Sequence, residues 1–323
     1  MAKVFVTRPI PEAGINLLKS KGFEIVVNEA AADRVATKEE LIAGAAGADA
    51  ILSVLTDNID ADVIAAGLPA LKIVANFAVG YDNVDVKTAK EKNIFVTNTP
   101  GVLTETVAEH TFGLLMAISR RIPEGDKFAR AGKYTAWGPK LLLGTDMAGK
   151  TLGIIGLGRI GSRVAHFAIR ALEMKVIYTD TKPNPEFEKE YGAVFAPTVD
   201  ALLPQADFVS IHVPMLESTR HLMNEARFKL MKKSAYLINT ARGPIVDELA
   251  LAAALKNGTI KGAAIDVFEF EPKISPELIA LDNIVMTPHT ASASEETRDK
   301  MAIMAATNII EVLEGRNPPN PVQ

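Results

Sequence analysis

Thr151-Leu152-Gly153-Ile154-Ile155-Gly156-Leu157-Gly158-Arg159-Ile160-Gly161 is the stretch that decides the fold. The apolar run Leu152–Ile155 reads as a buried parallel strand, and the residues that follow Gly158 read as a helix. A G-x-G-x-x-G spacing joins them, and each glycine has its own task. Gly156 permits the tight turn, Gly158 lets the backbone approach a pyrophosphate, and Gly161 lets the helix pack on the strand. The N-terminus of that helix attracts phosphate. The same spacing also occurs in plain glycine-rich turns, but here it stands in the required strand–turn–helix context. Asp180 ends the next strand, where a carboxylate accepts hydrogen bonds from adenosine ribose hydroxyls. The plainer alternative for Asp180 is an exposed turn residue before Pro183.

Downstream, strands are expected at Lys175–Thr179, Phe208–His212, Ala235–Asn239, Gly262–Asp266 and Ile284–Thr287. With Thr151–Ile155 these make six strands with helical crossovers, the size of a dinucleotide-binding domain. Upstream, Lys3–Thr7, Phe23–Val27, Ala50–Val54, Lys72–Ala75 and Ile94–Val96 read as a separate series of short strands. An amphipathic stretch from about Glu12 to Lys21 closes at Gly22. Short apolar strands that alternate with helical stretches predict parallel α/β sheets. Thr99-Pro100-Gly101 breaks the pattern, and a long helix over roughly Leu103–Arg120, with Thr104 near its start, is expected to connect two domains. After Ser294 the pattern predicts one amphipathic helix that ends at Gly315, then a Pro-rich tail.

The chain has 323 residues, 48% hydrophobic and 23% charged, which suits two globular domains with ample core. The net charge of -4 gives no basic excess for nucleic acid or an anionic membrane. There is no cysteine, so disulfides, thiol catalysis and cysteine–zinc sites are excluded. No His-rich cluster suggests any other metal site. The apolar start of the N-terminus is short and interrupted by charge, unlike a signal peptide, and no long apolar run predicts a membrane span. A soluble, cytoplasmic protein is the expectation.

A second constellation lies in Asn239-Thr240-Ala241-Arg242-Gly243, Asp266-Val267-Phe268-Glu269-Phe270-Glu271-Pro272 and Thr287-Pro288-His289. Each segment follows an expected strand, and the carboxyl ends of such strands line the ligand crevice of a doubly wound sheet. Reduction of a keto acid uses these groups. A histidine delivers a proton to the carbonyl oxygen, and a carboxylate on its other ring nitrogen sets the tautomer. An arginine holds a carboxylate and stabilises developing charge on oxygen. Taken singly, each residue has a bland reading: Arg242 as a turn cap, Glu271 as an exposed acid, His289 as a satisfied loop residue. His110, His166 and His221 read as packed or exposed side chains, and Trp137 as a loop anchor or a dimer contact.

The ordered motifs GLGRIG, an acid at the second strand, NTARG, DVFEFEP and TPH resemble the D-isomer-specific 2-hydroxyacid dehydrogenases. The N-terminal VTRPIPEAG, the segment Ala78–Asp85 and NTPGVLTETVAEH are similar to that family too, so the resemblance spans essentially the whole chain. It implies two Rossmann-like doubly wound domains with a cleft between them. Residues 1–100 with 291–323 would bind substrate, and residues 101–290 would bind NAD(H). Arg242, Glu271 and His289 would be catalytic. Substrate would be met by Leu55, Val79 and Gly80 together with Arg242 and His289. Thr104, Gly156, Gly158, Arg159, Ile160, Gly161, Asp180, His212, Val213, Pro214, Thr219, Thr240, Ala241 and Asp266 would hold the cofactor. A homodimer built on the cofactor domain is expected.

Within the family, Trp137-Gly138-Pro139 through Leu143-Gly144 and Met147–Thr151 are similar to the glyoxylate/hydroxypyruvate reductase branch. The chain stops shortly after Gly315, so no C-terminal regulatory domain of the phosphoglycerate dehydrogenase kind is expected. Three departures stand out. The helix after Gly161 is one residue longer before Met174, Thr290-Ala291-Ser292 follows His289 where isoleucine and glycine are commoner, and Asp180 stands where NADPH-preferring relatives carry a Ser-Arg pair. NAD(H) is therefore expected over NADP(H). The expected reaction is hydride transfer between NAD(H) and a small 2-keto or 2-hydroxy acid, glyoxylate or hydroxypyruvate first. Lactate- or phosphoglycerate-type substrates are the alternatives within the class. A non-enzymatic NAD(H)-sensing, corepressor-like protein is the alternative outside it.

Overall fold

The computed structural model describes residues 1–322. The chain divides into two compact units, Met1–Leu103 with Ala293–Gln323, and Thr104–Ser292.

The first unit is built on a parallel sheet of five strands: β1 (Lys3–Val6), β2 (Glu24–Val27), β3 (Ala50–Val54), β4 (Ile73–Phe77) and β5 (Phe95–Thr97), in the order β2-β1-β3-β4-β5. The strands are short and rich in Val, Ile and Phe because both faces are covered, so alternation of polar and apolar residues disappears. β1, β3 and β4 are buried along almost their whole lengths. The C-terminal helix Glu295–Leu313 joins this unit although nearly two hundred residues separate it from β5. It packs on the helix Glu12–Ser20 at Gly14, where an added Cβ would stand 2.7 Å from the Ala302 carbonyl oxygen.

The second unit holds seven parallel strands: β6 (Thr151–Ile155), β7 (Lys175–Thr179), β8 (Val194–Phe195), β9 (Phe208–Ile211), β10 (Tyr236–Asn239), β11 (Gly262–Ile265) and β12 (Ile284–Met286), in the order β12-β11-β10-β9-β6-β7-β8. The reversal of strand order falls between β6 and β9, and this opens a crevice at the carboxyl ends of those two strands. Successive residues of each strand feed opposite cores. Ile154, Tyr178 and Ile238 pack on one face and Ile155, Ile177 and Leu237 on the other.

Two expectations are corrected. The sheet has seven strands, not six. β8 is only two residues long and too short to carry a period-two signal, so it is visible only through its pairing with Ile177 and Tyr178. The helix expected to link two domains runs Thr104–Ser119 and belongs wholly to the second unit, where Ala108, Leu114, Leu115 and Ile118 enter its core. The helix after Gly161 runs Arg159–Leu172, and Glu173 takes a left-handed conformation (φ 52°) before Met174. The Glu173 and Met174 amides then bond back to the Ile169 and Ala168 carbonyls, at 3.0 and 3.2 Å, closing the helix end.

Candidate active site

The turn after β6 gives its three glycines three different environments. Gly156 has φ +95°, and a Cβ there would stand 2.8 Å from the His212 carbonyl oxygen. This is where the ends of β6 and β9 approach each other. A Cβ on Gly161 would stand 2.0 Å from the Gly156 carbonyl oxygen, so the helix lies directly on the turn. A Cβ on Gly158 would meet nothing within 4 Å. Gly158 is the N-cap of the helix Arg159–Leu172 and is exposed, as is Arg159, while Ile160 is half-buried. Open backbone at a helix N-terminus is the geometry that anionic phosphate oxygens require.

Asp180 follows β7 and turns toward the same turn. Its Oδ2 accepts the Leu157 amide at 2.8 Å and its Oδ1 accepts the Thr181 amide at 2.6 Å. Across the switch point, His212 follows β9 and its Nε2 meets the Ser210 hydroxyl at 2.8 Å. Burial pulls the His212 imidazole down to about 3, so it is neutral at ordinary pH. Val213 is half-buried and Pro214 exposed. The Thr219 hydroxyl is spent within its own loop, where it bonds the Pro214 carbonyl at 2.7 Å and accepts the Leu216 amide at 2.8 Å.

β10 delivers the next group. The Thr111 hydroxyl lies 2.7 Å from the Val107 carbonyl and shares a 2.8 Å hydrogen bond with the Thr240 hydroxyl. The Asn239 side chain accepts the Ala241 amide at 3.0 Å and donates to the Arg242 carbonyl at 2.9 Å, which shapes the turn that carries Arg242. The Arg242 guanidinium bonds the Ala241 carbonyl at 2.8 Å. Gly243 follows because nothing larger fits: a Cβ there would lie 1.8 Å from the Phe268 carbonyl oxygen.

β11 and β12 bring the histidine and its carboxylate together. His289 Nδ1 lies 2.9 Å from Glu271 Oε2. The other oxygen of Glu271 accepts the Phe268 amide at 2.9 Å, so the carboxylate is held at both ends. Both side chains remain about one-fifth exposed, which leaves the imidazole reachable. His289 has φ 53°, an unusual conformation for a side chain of this size. Its amide is held by the Asp266 carbonyl at 2.8 Å.

Asp266 is fully buried. Its carboxylate accepts the Thr287 hydroxyl at 2.6 Å and the amides of Thr290 and Ala291 at 2.8 Å each. His110 stands 3.5 Å away and also meets the Thr287 hydroxyl at 3.0 Å. Burial pushes the Asp266 carboxyl up, but His110, Thr287 and the two amides outweigh it and hold the group below its ordinary value. The carboxylate thus braces the segment that carries His289. His110 is a participant that the sequence hid. It lies more than 150 residues before Asp266, and a lone histidine on a helix carries no signal of its partner.

In the first unit, Leu55 follows β3 and is half-buried, as are Val79 and Gly80 after β4. Two asparagines fix that loop. Asn98 donates to the Val79 carbonyl at 2.7 Å, and the buried Asn76 donates to the Gly80 carbonyl at 2.8 Å. Asn76 accepts in turn from Ser53 at 2.9 Å. Thr104 begins the helix Thr104–Ser119 in the second unit.

The candidate side chains after β6, β7, β9, β10, β11 and β12 thus all lie beyond the carboxyl ends of those strands. A doubly wound parallel sheet with an open glycine turn at its switch point, and an ionisable pair on the same edge, defines a dinucleotide-dependent oxidoreductase class. The family model for the D-isomer specific 2-hydroxyacid dehydrogenase NAD-binding domain matches residues 112–291. The chain is 49% identical over 321 residues to a glyoxylate reductase of Korarchaeum cryptofilum, covering 98% of this chain and 95% of the relative. A solved protein of Thermus thermophilus superposes with a TM-score of 0.93 at 43% identity, covering 99% of this chain and all of that one. The NADPH-dependent glyoxylate/hydroxypyruvate reductase of Sinorhizobium meliloti, solved with NADP and malonate, gives 0.86 at 33% identity, covering 99% and 96%. This chain belongs to the D-isomer specific 2-hydroxyacid dehydrogenase family and is an oxidoreductase of the CH–OH group of 2-hydroxy acids.

Proposed function

We propose that the protein reduces short 2-keto acids, glyoxylate and hydroxypyruvate above all, to D-2-hydroxy acids with NADH. The observation that carries this reading is the 2.9 Å His289–Glu271 pair, its carboxylate pinned by the Phe268 amide, on the carboxyl edge of the nucleotide-binding sheet.

Glu271 on Nδ1 keeps the proton on that nitrogen when His289 is neutral, so Nε2 is the atom that gives up and regains a proton. The carboxylate also stabilises the imidazolium, which is the proton-donating form needed for reduction. Arg242 offers a planar fork to the substrate's carboxylate and carbonyl oxygens and stabilises the developing alkoxide. Val79 and Gly80, with carbonyls tethered by Asn98 and Asn76, belong to the substrate-binding unit, residues 1–103 with 293–323. Leu55 is apolar, and the Arg8 guanidinium bonds the Arg34 carbonyl at 2.8 Å, so a small uncharged tail at C2 suits the first unit best.

The open backbone at Gly158 would take a pyrophosphate; Thr104, Arg159, Ile160, His212, Val213, Pro214, Thr219, Thr240 and Ala241 would hold the rest of the dinucleotide, and Asp180 the adenosine ribose. Asp266, buried as it is, acts toward the cofactor through the 287–291 segment. When bound, the nicotinamide supplies the hydride. Asp180 repels a 2′-phosphate, which sets this chain apart from the NADPH-dependent relative of Sinorhizobium meliloti.

A second copy of the chain would cover the segment from Ile122 to Leu143. The helix Ile122–Arg130 buries none of its residues, and Ile122, Tyr134, Trp137 and Leu143 are all more than half exposed. Among the described residues no helix is long and apolar enough to cross a membrane, and the cytoplasm is the proposed location. Steady-state rates with glyoxylate, hydroxypyruvate, pyruvate and phosphohydroxypyruvate, each with NADH and NADPH, test the reading. Highest kcat/KM for glyoxylate or hydroxypyruvate with NADH supports it. A preference for the phosphorylated acid, or no turnover of any keto acid, overturns it.

A further inference from the structure

Glu269 lies two residues before Glu271, yet it faces away from His289 into a separate polar cluster. Its carboxylate and that of Glu248 are exchanged between two loops. The Glu269 amide donates to Glu248 Oε1 at 2.5 Å, and the Glu248 amide donates to Glu269 Oε2 at 3.4 Å. Ser275 donates its hydroxyl to the second oxygen of Glu248. The free oxygen of Glu269 meets His221 Nε2 at 2.6 Å, with the Arg220 guanidinium at 3.7 Å. Glu248 is 2% exposed and the Glu269 side chain 7%, so two carboxylates share a nearly dry site. Such a pair persists only with hydrogen-bond donors and cations against it. Arg220, His221, Ser275 and the N-terminus of the helix Glu248–Lys256 provide them.

These contacts bind three loops in one place. His221 belongs to the loop after β9, Glu248 ends the loop that carries Arg242, and Glu269 sits in the loop that carries Glu271. The backbone follows the same seam. The His221 amide donates to the Pro244 carbonyl at 2.8 Å, the Met223 amide to Ile245 at 3.0 Å, and the Asp247 amide to Met223 at 2.9 Å. Gly243 meanwhile rests on the Phe268 carbonyl. The loop of Arg242 is therefore held from both sides, and the Glu269 carboxylate is the group that reaches both the loop of His221 and the end of the loop of Arg242.

The geometry points to Glu269 as a positioning residue, with His221 as its hydrogen-bonding partner and Glu248 as its reciprocal anchor, that sets the spacing between Arg242 and Glu271. This rests on the proposed roles of Arg242, Glu271 and His289. The cluster touches neither His289 nor the glycine turn, so its loss should separate substrate handling from cofactor binding. A shift of about 1 Å at a reacting group costs on the order of a hundredfold.

The test compares Glu269→Ala, Glu269→Gln, His221→Asn and the Glu269→Ala/His221→Asn double variant. The readouts are kcat/KM for glyoxylate, NADH affinity by fluorescence and thermal unfolding. Glu269→Ala should lower kcat/KM about 10- to 100-fold while NADH affinity stays within about twofold. Glu269→Gln, which keeps an acceptor oxygen, should recover part of the loss. The double variant should be no worse than Glu269→Ala alone, because both remove one contact. If Glu269→Ala fails to fold, the partly exposed His221→Asn carries the comparison, with a several-fold fall in kcat/KM expected. Unchanged kcat/KM in the folded variants, or equal loss of NADH affinity, overturns the inference. Arg242→Lys and His289→Ala, run alongside, separate the two failures. If they lose activity and the cluster variants do not, only the positioning role falls. If they too are unimpaired, the assignment of the site falls with it.

Discussion

Alanine at Gly158 and alanine at Gly161 should have different consequences for stability, although the two residues stand three apart in one motif. Gly158 has φ -72°, which alanine adopts freely, and its Cβ would meet nothing within 4 Å. The substitution gains about 0.4–1 kcal/mol from a stiffer unfolded chain. It loses a similar amount, about 0.5–1 kcal/mol, because alanine is a poor helix N-cap. The fold should therefore be nearly indifferent, with Tm changed by no more than about 2–4 °C. The new methyl group stands where phosphate oxygens must approach the helix amides. Loss of one hydrogen bond to a charged group, about 1.5–3 kcal/mol, would weaken NADH binding about 10- to 150-fold. At Gly161 the Cβ would stand 2.0 Å from the Gly156 carbonyl oxygen, a separation side chains do not tolerate, so the helix or the turn must move by roughly 1 Å. Such overpacking costs about 1–3 kcal/mol or more, so Tm should fall by several degrees along with affinity. Thermal unfolding by circular dichroism and NADH titration by fluorescence measure both quantities on each variant. Wild-type NADH affinity in Gly158→Ala would refute the placement of the pyrophosphate. Equal loss of Tm in the two variants would refute the division of labour between the glycines.

His289→Ala should lower turnover about 10²- to 10⁴-fold with little change in NADH affinity, read from steady-state and binding data together. A near-wild-type rate would remove His289 from the chemistry. Asp180→Ser should erode the preference for NADH, since a like-charge contact with a 2′-phosphate worth about 3 kcal/mol corresponds to roughly a hundredfold in efficiency. An unchanged cofactor ratio would show that another group discriminates. His212 links stability to acid. Its folded value, about 3, lies below the 6.5 of an ordinary histidine, so the unfolded chain takes up a proton that the folded one refuses. Stability is therefore full above about 6.5 and falls as pH drops toward 3. His212→Asn should flatten the dependence of Tm on pH over the upper part of that window, and an identical slope in the variant would count against a neutral imidazole.

The strands and the glycine turn were legible in the sequence because their causes are local. β3, β6 and β7 begin and end where the sequence pattern places them, at Ala50–Val54, Thr151–Ile155 and Lys175–Thr179. Turn chemistry and helix capping act over a few residues, so Gly156, Gly158 and Gly161 are legible as a turn through their spacing between a strand and a helix. His289 and Glu271 were legible as candidates because each follows a strand of a parallel sheet, and topology sends all such carboxyl ends to one edge. Their 2.9 Å contact was not, since no local rule sets the distance between residues on neighbouring strand ends. The brace of Asp266 by His110 and the exchange between Glu248 and Glu269 were invisible for the same reason. A buried charge selects its partners by desolvation, and desolvation is decided only when distant segments close over it. Likewise β8 exists through pairing rather than pattern, and the helix Glu295–Leu313 returns to the first unit because Gly14 leaves room for Ala302. The sequence by itself determined the two sheets, the glycine turn and the edge on which the candidate groups lie. Tertiary packing alone decided which polar groups meet there, because burial and close contact are properties of the closed fold and not of any segment.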